Sequence, residues 1–426
     1  MNPMLKNLLS ELKRSAFLKG TFSIAGGTAL GQLLLVASSP ILTRIYDPTA
    51  MGMFGLFVSF VSLASTAGTL RYEVAIVATP DEKDSVALTK GSLIIAVFMA
   101  IFFGIIFDLL RRNALFGFQV FPRWAFLLII LGILGVVWGF TLRFYAIRQM
   151  AFGIIGRFTL GQAMFRVLFP IFLSPLGKVG LFIGEVLGRL AGLTVLRKIF
   201  PEPRGPWLHL PVLFKYKKYP LVLLPSAMLN TLALMGIVPV FSQVFGVTTA
   251  GHLTLAQRVL GLPVSLIGSA VSDVFYGKAA EIIRSDVKRL PRFFMKTFLG
   301  LGTLAILLGI GVWYLAPSVS RFIFGSEWHQ AGLFMKIRAP LLVAQLSISP
   351  LGRFIFLTPY PWLKLIYDVG SLIVISLPLW IPFKDSSKAL WTISISQVVL
   401  YLLYFGLMLI LLRIMQKYSF KLLTVN

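Results

Sequence analysis

Apolar side chains run along this chain in blocks of twenty residues or more, and the polar positions collect in the short gaps between the blocks. A helix crossing the hydrocarbon core of a bilayer needs about 20 consecutive, mostly apolar residues. Blocks bounded by charge, Pro or Gly predict twelve such helices, over 18–42, 50–78, 85–109, 123–146, 151–174, 179–199, 218–245, 249–277, 290–316, 330–357, 360–382 and 388–412. Lys13, Arg14 and Lys19 precede the first block as they would in a secretion signal. The apolar run from Phe22 to Leu42 is nevertheless too long for a signal and has no clear cleavage site, so it is expected to stay in place as a span.

An even number of spans puts both ends of the chain on one side. Of the 40 Lys and Arg residues, 25 fall on that side, 10 fall on the other, and Arg71, Arg157, Arg166, Arg189 and Arg258 lie inside predicted spans. Lys and Arg accumulate in cytoplasmic loops, so both termini are expected in the cytoplasm. The longest connection, 200–217, carries Pro201, Pro203, Pro206 and Pro211 and follows the sixth helix. It divides the chain into an N-terminal six-helix lobe, 1–199, a cytoplasmic linker, 200–217, and a C-terminal six-helix lobe, 218–426.

The halves resemble each other. At an offset of 199, Tyr46, Thr49 and Gly52 fall on Phe245, Thr248 and Gly251, and Glu82 falls on Glu281. At an offset of 210, Arg143 and Phe144 fall on Arg353 and Phe354. Because each half has an even number of spans, the repeat is parallel, with a pseudo-two-fold axis along the membrane normal. The expected fold is an all-α polytopic membrane protein of twelve transmembrane helices in two six-helix bundles, with a central cavity.

Composition agrees and excludes several classes. Hydrophobic residues make up 57% and charged residues 13% of the chain, against about 45–50% and 25% in soluble domains. An ordinary soluble enzyme, a disordered chain and a fibrous repeat are thereby excluded. The net charge of +25 is spread along apolar segments with no block long enough for a nucleic-acid domain; most of it marks topology and meets lipid headgroups. Cysteine is absent, and His209, His252 and His329 share no ligand spacing, so neither thiolate chemistry nor a metal site is expected. No phosphate-binding Gly-rich loop is present, so neither nucleotide nor other cofactor is implied. Trp124, Trp313, Trp328, Trp362, Trp380 and Trp391 fall near span ends, as interfacial anchors do.

Charges inside spans carry the chemistry, because each costs about 2.5–3.5 kcal/mol near the bilayer centre on insertion scales. Arg166, Arg189 and Arg258 lie near mid-span, and Arg71 and Arg157 nearer the cytoplasmic ends. Glu185 precedes Arg189 by one turn, beside the stripe Gly184, Gly188 and Gly192, which reads as a structural ion pair at a close helix contact. Arg71 and Glu73 are two residues apart and would not share a helix face; Arg71 either snorkels to the interface or serves a cavity. Arg157 and Arg166 are nine apart and point to opposite faces. Arg166 and Arg258 lack a nearby acid in sequence and read either as cavity residues or as partners of an acid on another helix, such as Glu185 or Asp368.

Acids in or near the spans are few: Glu73, Asp108, Glu185, Asp273 and Asp368. The surplus of arginine points to an anionic cargo, and guanidinium suits phosphate through its planar, permanently charged fork. A cation-coupled antiporter of drugs or small molecules is the alternative and would need acids facing its cavity. A polytopic glycosyltransferase or polymerase needs an accessible acid or His base. Here the outer loops are short and offer only Asp47, Glu327, His329 and Asp385, so no enzyme is expected.

Four separated segments resemble one family. Thr43-Arg44-Ile45-Tyr46-Asp47-Pro48 with Met51-Gly52-Met53-Phe54-Gly55 resembles the turn between the first helices of polysaccharide flippases. Leu70-Arg71-Tyr72-Glu73-Val74-Ala75-Ile76, the run Leu255 to Ala280, and Ala339-Pro340 with Ser349-Pro350-Leu351-Gly352 are similar to later segments of the same family. The family is the O-antigen and exopolysaccharide (Wzx-type) flippases of the multidrug/oligosaccharidyl-lipid/polysaccharide exporter superfamily. The resemblance implies a non-enzymatic inner-membrane transporter in surface polysaccharide and lipopolysaccharide biosynthesis. Such a protein moves an undecaprenyl-pyrophosphate-linked oligosaccharide to the outer leaflet by alternating access. Its partners would be that lipid-linked oligosaccharide, membrane lipids and the polysaccharide polymerase machinery. Arg71 and Arg258 lie in matching segments and would hold the pyrophosphate, with Arg166 and Arg157 as further candidates. Asp273 stands where a neutral residue is expected, so Asp273, Glu73 and Asp368 are candidates for ion coupling or for partnering a basic residue.

Overall fold

The computed structural model describes residues 23–201 and 206–417, and all regular secondary structure among them is helical. The N-terminal basic residues counted above, Arg204, Lys421 and the start of the predicted 18–42 helix lie outside the described residues. Eleven helices are long and apolar enough to span a membrane, and a bent pair makes a twelfth. In chain order they are α1 (Ser23–Ile45), α2 (Pro48–Ala67), a short α3 (Tyr72–Ala78), α4 (Glu82–Arg112), α5 (Ala125–Arg148), α6 (Phe152–Phe172) and α7 (Lys178–Leu193). A six-residue α8 (Leu210–Lys215) leads to α9 (Lys218–Met235) and α10 (Ile237–Phe245). Then come α11 (Val247–Ser285), α12 (Leu290–Phe324), α13 (His329–Ile348), α14 (Leu363–Trp380) and α15 (Ser386–Lys417).

Two predicted spans are interrupted. The block 218–245 bends by 45° at Gly236, between α9 and α10. The block 50–78 breaks at Gly68–Arg71, where Leu70 and Arg71 take left-handed backbone angles (φ 53° and 67°). Other helices run past their apolar blocks. α11 continues to Ser285 and carries a Lys278–Glu281 pair (2.8 Å) on its polar extension, since i,i+3 opposite charges support helix outside the hydrocarbon. Apolarity marks where the membrane ends, and the helix need not end there.

The chain forms two compact units. One contains the residues up to Tyr46 with Leu56–Thr231; the other contains Asp47–Gly55 with the residues from Leu232 onward. The sequence division at 200–217 lies upstream of this break.

In the first unit, Tyr72, Ile76, Leu88, Tyr145, Ile155 and Leu213 form a buried cluster. Phe107 meets Phe60, Phe118 and Phe121 edge-on at 5.3–5.4 Å. The linker is tied into this unit through α8. Tyr72 donates its hydroxyl proton to the Leu213 carbonyl (3.1 Å), and Asp84 accepts from Lys215 (2.5 Å) and Tyr216 (3.0 Å). In the second unit, Phe294 packs against Phe275, Phe354 and Phe405 at 5.7–6.0 Å, joining α11, α12, the 3-10 turn Ser349–Leu357 and α15.

Many large apolar side chains face outward, among them Phe98, Phe102, Leu307, Phe322 and Trp380. In water such a surface would aggregate; in lipid it is required. Trp362 and Trp380 are exposed. Trp328 departs from the anchor role: it is buried, its ring meets His252 edge-on at 5.6 Å, and its carbonyl accepts from Ser320 (2.7 Å).

Candidate substrate-binding site

The arginines and acids singled out by sequence fall into clusters, each set by local chain geometry. The first is at the break between α2 and α3. Because the backbone there is not helical, Arg71 turns back onto Glu73 (Nη1 to Oε1 3.2 Å), a pairing that helical spacing would forbid. Thr69 also donates to Glu73, which is buried. Arg71 Nε is buried with no partner among the described residues, while the side chain as a whole is about a third exposed. At the opposite end of α2, Tyr46 donates to the Pro170 carbonyl (2.7 Å), tying the turn between α1 and α2 to the end of α6. Burial pushes the Tyr46 hydroxyl up to about 12, so it stays a protonated donor.

The second cluster joins α6 and α7. A Cβ on Gly184 would come within 2.4–2.7 Å of Pro170, and one on Gly188 within 2.7 Å of the Arg166 backbone. The helices therefore touch backbone to backbone, as small residues at four-residue spacing permit. That approach carries Arg166 onto Glu185. Glu185 Oε1 accepts from Arg166 Nε (2.8 Å) and Nη2 (2.7 Å), and from Arg189 Nε (2.8 Å) and Nη2 (2.7 Å). Two guanidinium groups share one carboxylate, so the cluster keeps a net charge of +1. Glu185 and Arg189 are buried, whereas Arg166 is 21% exposed and forms the accessible edge. Arg157 is exposed on α6 and makes no ion pair among the described residues.

The third lies in the second unit, where the first turns of α2 meet α11. A Cβ on Gly52 would lie 2.0 Å from the Val247 carbonyl oxygen, and one on Gly251 1.8 Å from that of Pro48; only glycine allows this approach. Thr49 and Thr248 hydroxyls bond to each other at 3.0 Å. Thr49 and Gly52 thus touch the residues they match at the 199 offset. About two turns beyond Gly251 on α11, the Arg258 guanidinium sits 5.9 Å from the centre of the Phe54 ring and is partly exposed.

The remaining acids have basic partners. Asp273 pairs with Arg353, with both side chains about half exposed, and the buried Asp368 pairs with Lys364 one turn earlier on α14.

One arginine escaped the sequence reading. Arg338 was tallied with Lys336 on the outer side of the membrane although the predicted span 330–357 encloses both, and both lie within α13. Arg338 Nη1 is buried with no partner among the described residues, near the buried Tyr401. Its signal was available: the predicted span 330–357 already enclosed it, and it stands at the centre of the helix His329–Ile348. No group of three or more His, Cys, Asp or Glu among the described residues is placed to hold a metal ion.

Comparison with known proteins gives three results. The sequence profile of a family described as polysaccharide biosynthesis protein matches residues 41–332. No curated protein matches by sequence. Solved structures share the fold. The lipid II flippase MurJ in an inward closed conformation aligns with a TM-score of 0.66 at 15% identity, covering 96% of this chain and 93% of that one. An inward-facing multidrug resistance MATE family transporter of the MOP superfamily aligns with a TM-score of 0.57 at 14% identity, covering 91% and 96%. A Vibrio cholerae MATE transporter, VcmN, aligns with a TM-score of 0.53 at 13% identity, covering 95% and 98%.

Proposed function

The chain belongs to the polysaccharide biosynthesis protein family, and from that premise we propose that it is a flippase for an undecaprenyl-pyrophosphate-linked oligosaccharide. It moves this lipid from the cytoplasmic to the outer leaflet of the inner membrane by alternating access, for a surface polysaccharide such as O-antigen. It makes and breaks no covalent bond.

The observation that carries the reading is the arginine surplus within the membrane helices. Arg166 and Arg189 share the single carboxylate of Glu185, and Arg338 holds a buried nitrogen with no partner among the described residues. Such a surplus is costly in lipid unless an anion offsets it. A pyrophosphate supplies several oxygens in the geometry that guanidinium forks bind bidentately. Arg166, partly exposed in the first unit, is the group best placed to meet such oxygens, and Arg71 and Arg258 each lie in a segment resembling the flippases. The antiporter reading needs acids left open to cations. Glu73, Glu185, Asp273 and Asp368 each have a basic partner, which favours the anionic cargo.

Binding tests the headgroup preference. Native mass spectrometry of the detergent-solubilised protein with undecaprenyl pyrophosphate and with undecaprenol is expected to show retention of the pyrophosphate lipid only. Arg166→Gln and Arg258→Ala together are expected to weaken that retention at least tenfold, the equivalent of about 1.4 kcal/mol. Equal retention of the uncharged alcohol would remove the basis for the reading.

A further inference from the structure

A second basic site lies in the first unit, apart from the arginine clusters. A cavity of about 400 Å³ opens among the N-terminal part of α4, the C-terminal end of α5 and the turn that follows α7. Lys90, Lys198, Tyr145 and Gln149 are among its lining residues, and among the described residues no acidic one lines it. Lys90 is buried and its ammonium lies 5.7 Å from the centre of the Trp207 ring, so the linker end helps shape the amine's surroundings. Phe200, at the rim, is exposed and contacts Trp207 at 6.0 Å.

We propose that this cavity binds a phosphate-bearing anion and is a ligand site in its own right. Two primary amines supply charge, and a side-chain amide and a phenol supply directional hydrogen bonds, a donor set that suits phosphate oxygens. Liquid water occupies about 30 Å³ per molecule, so a cavity of about 400 Å³ has room for a phosphate with a small substituent. Lys90 is eight residues from the start of α4, about 12 Å along its axis at 1.5 Å per residue. By the distribution of basic residues this is the cytoplasmic end. That depth, and the exposed aromatic rim, match the headgroup phosphate of an acidic phospholipid with its tails in the bilayer; a soluble phosphate would use the same donors.

The full-length protein in detergent, titrated with phosphatidylglycerol, phosphatidylcholine and inorganic phosphate and read by native mass spectrometry, tests this. The tightest phosphatidylglycerol adduct is expected to weaken about tenfold in Lys198→Ala. It is expected to stay unchanged in Lys296→Ala, an exposed lysine elsewhere on the chain. Lys198 is exposed, so its variant should fold; Lys90→Gln gives a second, buried probe with the same expected loss. Displacement of the lipid by millimolar inorganic phosphate assigns the site to soluble phosphate compounds, and resistance assigns it to the lipid. Equal binding of phosphatidylcholine, wild-type affinity in both lysine variants, or no tight adduct at all overturns the proposal.

Discussion

At the residue scale, what decides each charge is whether its partner is reachable. Glu185 is the most constrained acid in the chain, held by two arginines from two helices. Breaking a buried ion pair from one side costs about 3–5 kcal/mol, so Glu185→Gln is expected to lower the unfolding temperature of the detergent-solubilised protein sharply. Arg166→Gln should cost far less stability, because Arg189 still neutralises the carboxylate, yet it should weaken pyrophosphate binding. Thermal unfolding and lipid binding on the same samples separate the two effects. Tyr46→Phe leaves the Pro170 carbonyl unpaired in a buried site, and is expected to cost about 1–3 kcal/mol by the same unfolding measurement.

The Glu185–Arg189 spacing was readable from sequence because i,i+4 is a property of one helix. For Arg166 the sequence left a cavity role and pairing with Glu185 both open, since that acid is 19 residues away and the contact is fixed only by how closely α6 and α7 approach. The Arg71–Glu73 pair was hidden for another reason. Nothing in Leu70-Arg71 signals left-handed backbone, which non-glycine residues adopt rarely.

At the element scale, glycine placement governs helix approach. A valine at Gly188 would drive its side chain into the Arg166 backbone. Overpacking typically costs about 1–3 kcal/mol and more when backbone blocks relaxation, so Gly188→Val should reduce folded yield and unfolding temperature. Gly277 lies inside α11 and is exposed, with no atom near where a Cβ would stand. Gly277→Ala should therefore be neutral or stabilising by up to about 1 kcal/mol. The contrast tests the packing directly, since both are glycines within helices.

The linker makes a related point. It reads in sequence only as a proline-rich linker, whereas Leu213 packs into the first unit and α8 is held by Asp84. Leu213→Asp should release it, seen as faster proteolytic cleavage between 206 and 217 under conditions that leave wild type intact. Sequence could not show this docking, because a six-residue helix has too little pattern to reveal what it covers.

At the scale of the whole molecule, hydropathy alone predicted the number and order of spans, because lipid allows backbone to cross only when its polar groups are satisfied internally. The break at Gly236 was not legible, since apolarity stays high across it, whereas that at Gly68–Arg71 falls in the polar stretch Thr69–Glu73, which the predicted span 50–78 ran through. Arg338 stands at the centre of α13, so taking it out of the outer-side tally strengthens the cytoplasmic bias used for orientation. The chain contains no cysteine, so single cysteines can report sidedness without background. In intact cells, a thiol reagent that does not cross membranes should label Lys178→Cys, while Lys296→Cys should label only after the membrane is opened. The reverse pattern would invert the orientation and with it the direction of transport.

The most direct test of the central claim is leaflet transfer itself. The purified protein would be reconstituted into vesicles holding a fluorescent undecaprenyl-pyrophosphate oligosaccharide, and the fraction reaching the opposite leaflet would be followed by quenching from outside. The account predicts transfer well above that of empty vesicles, lost when Arg166→Gln and Arg258→Ala are combined in a variant that still folds. Transfer no faster than in empty vesicles, or undiminished transfer by that double variant, would contradict it.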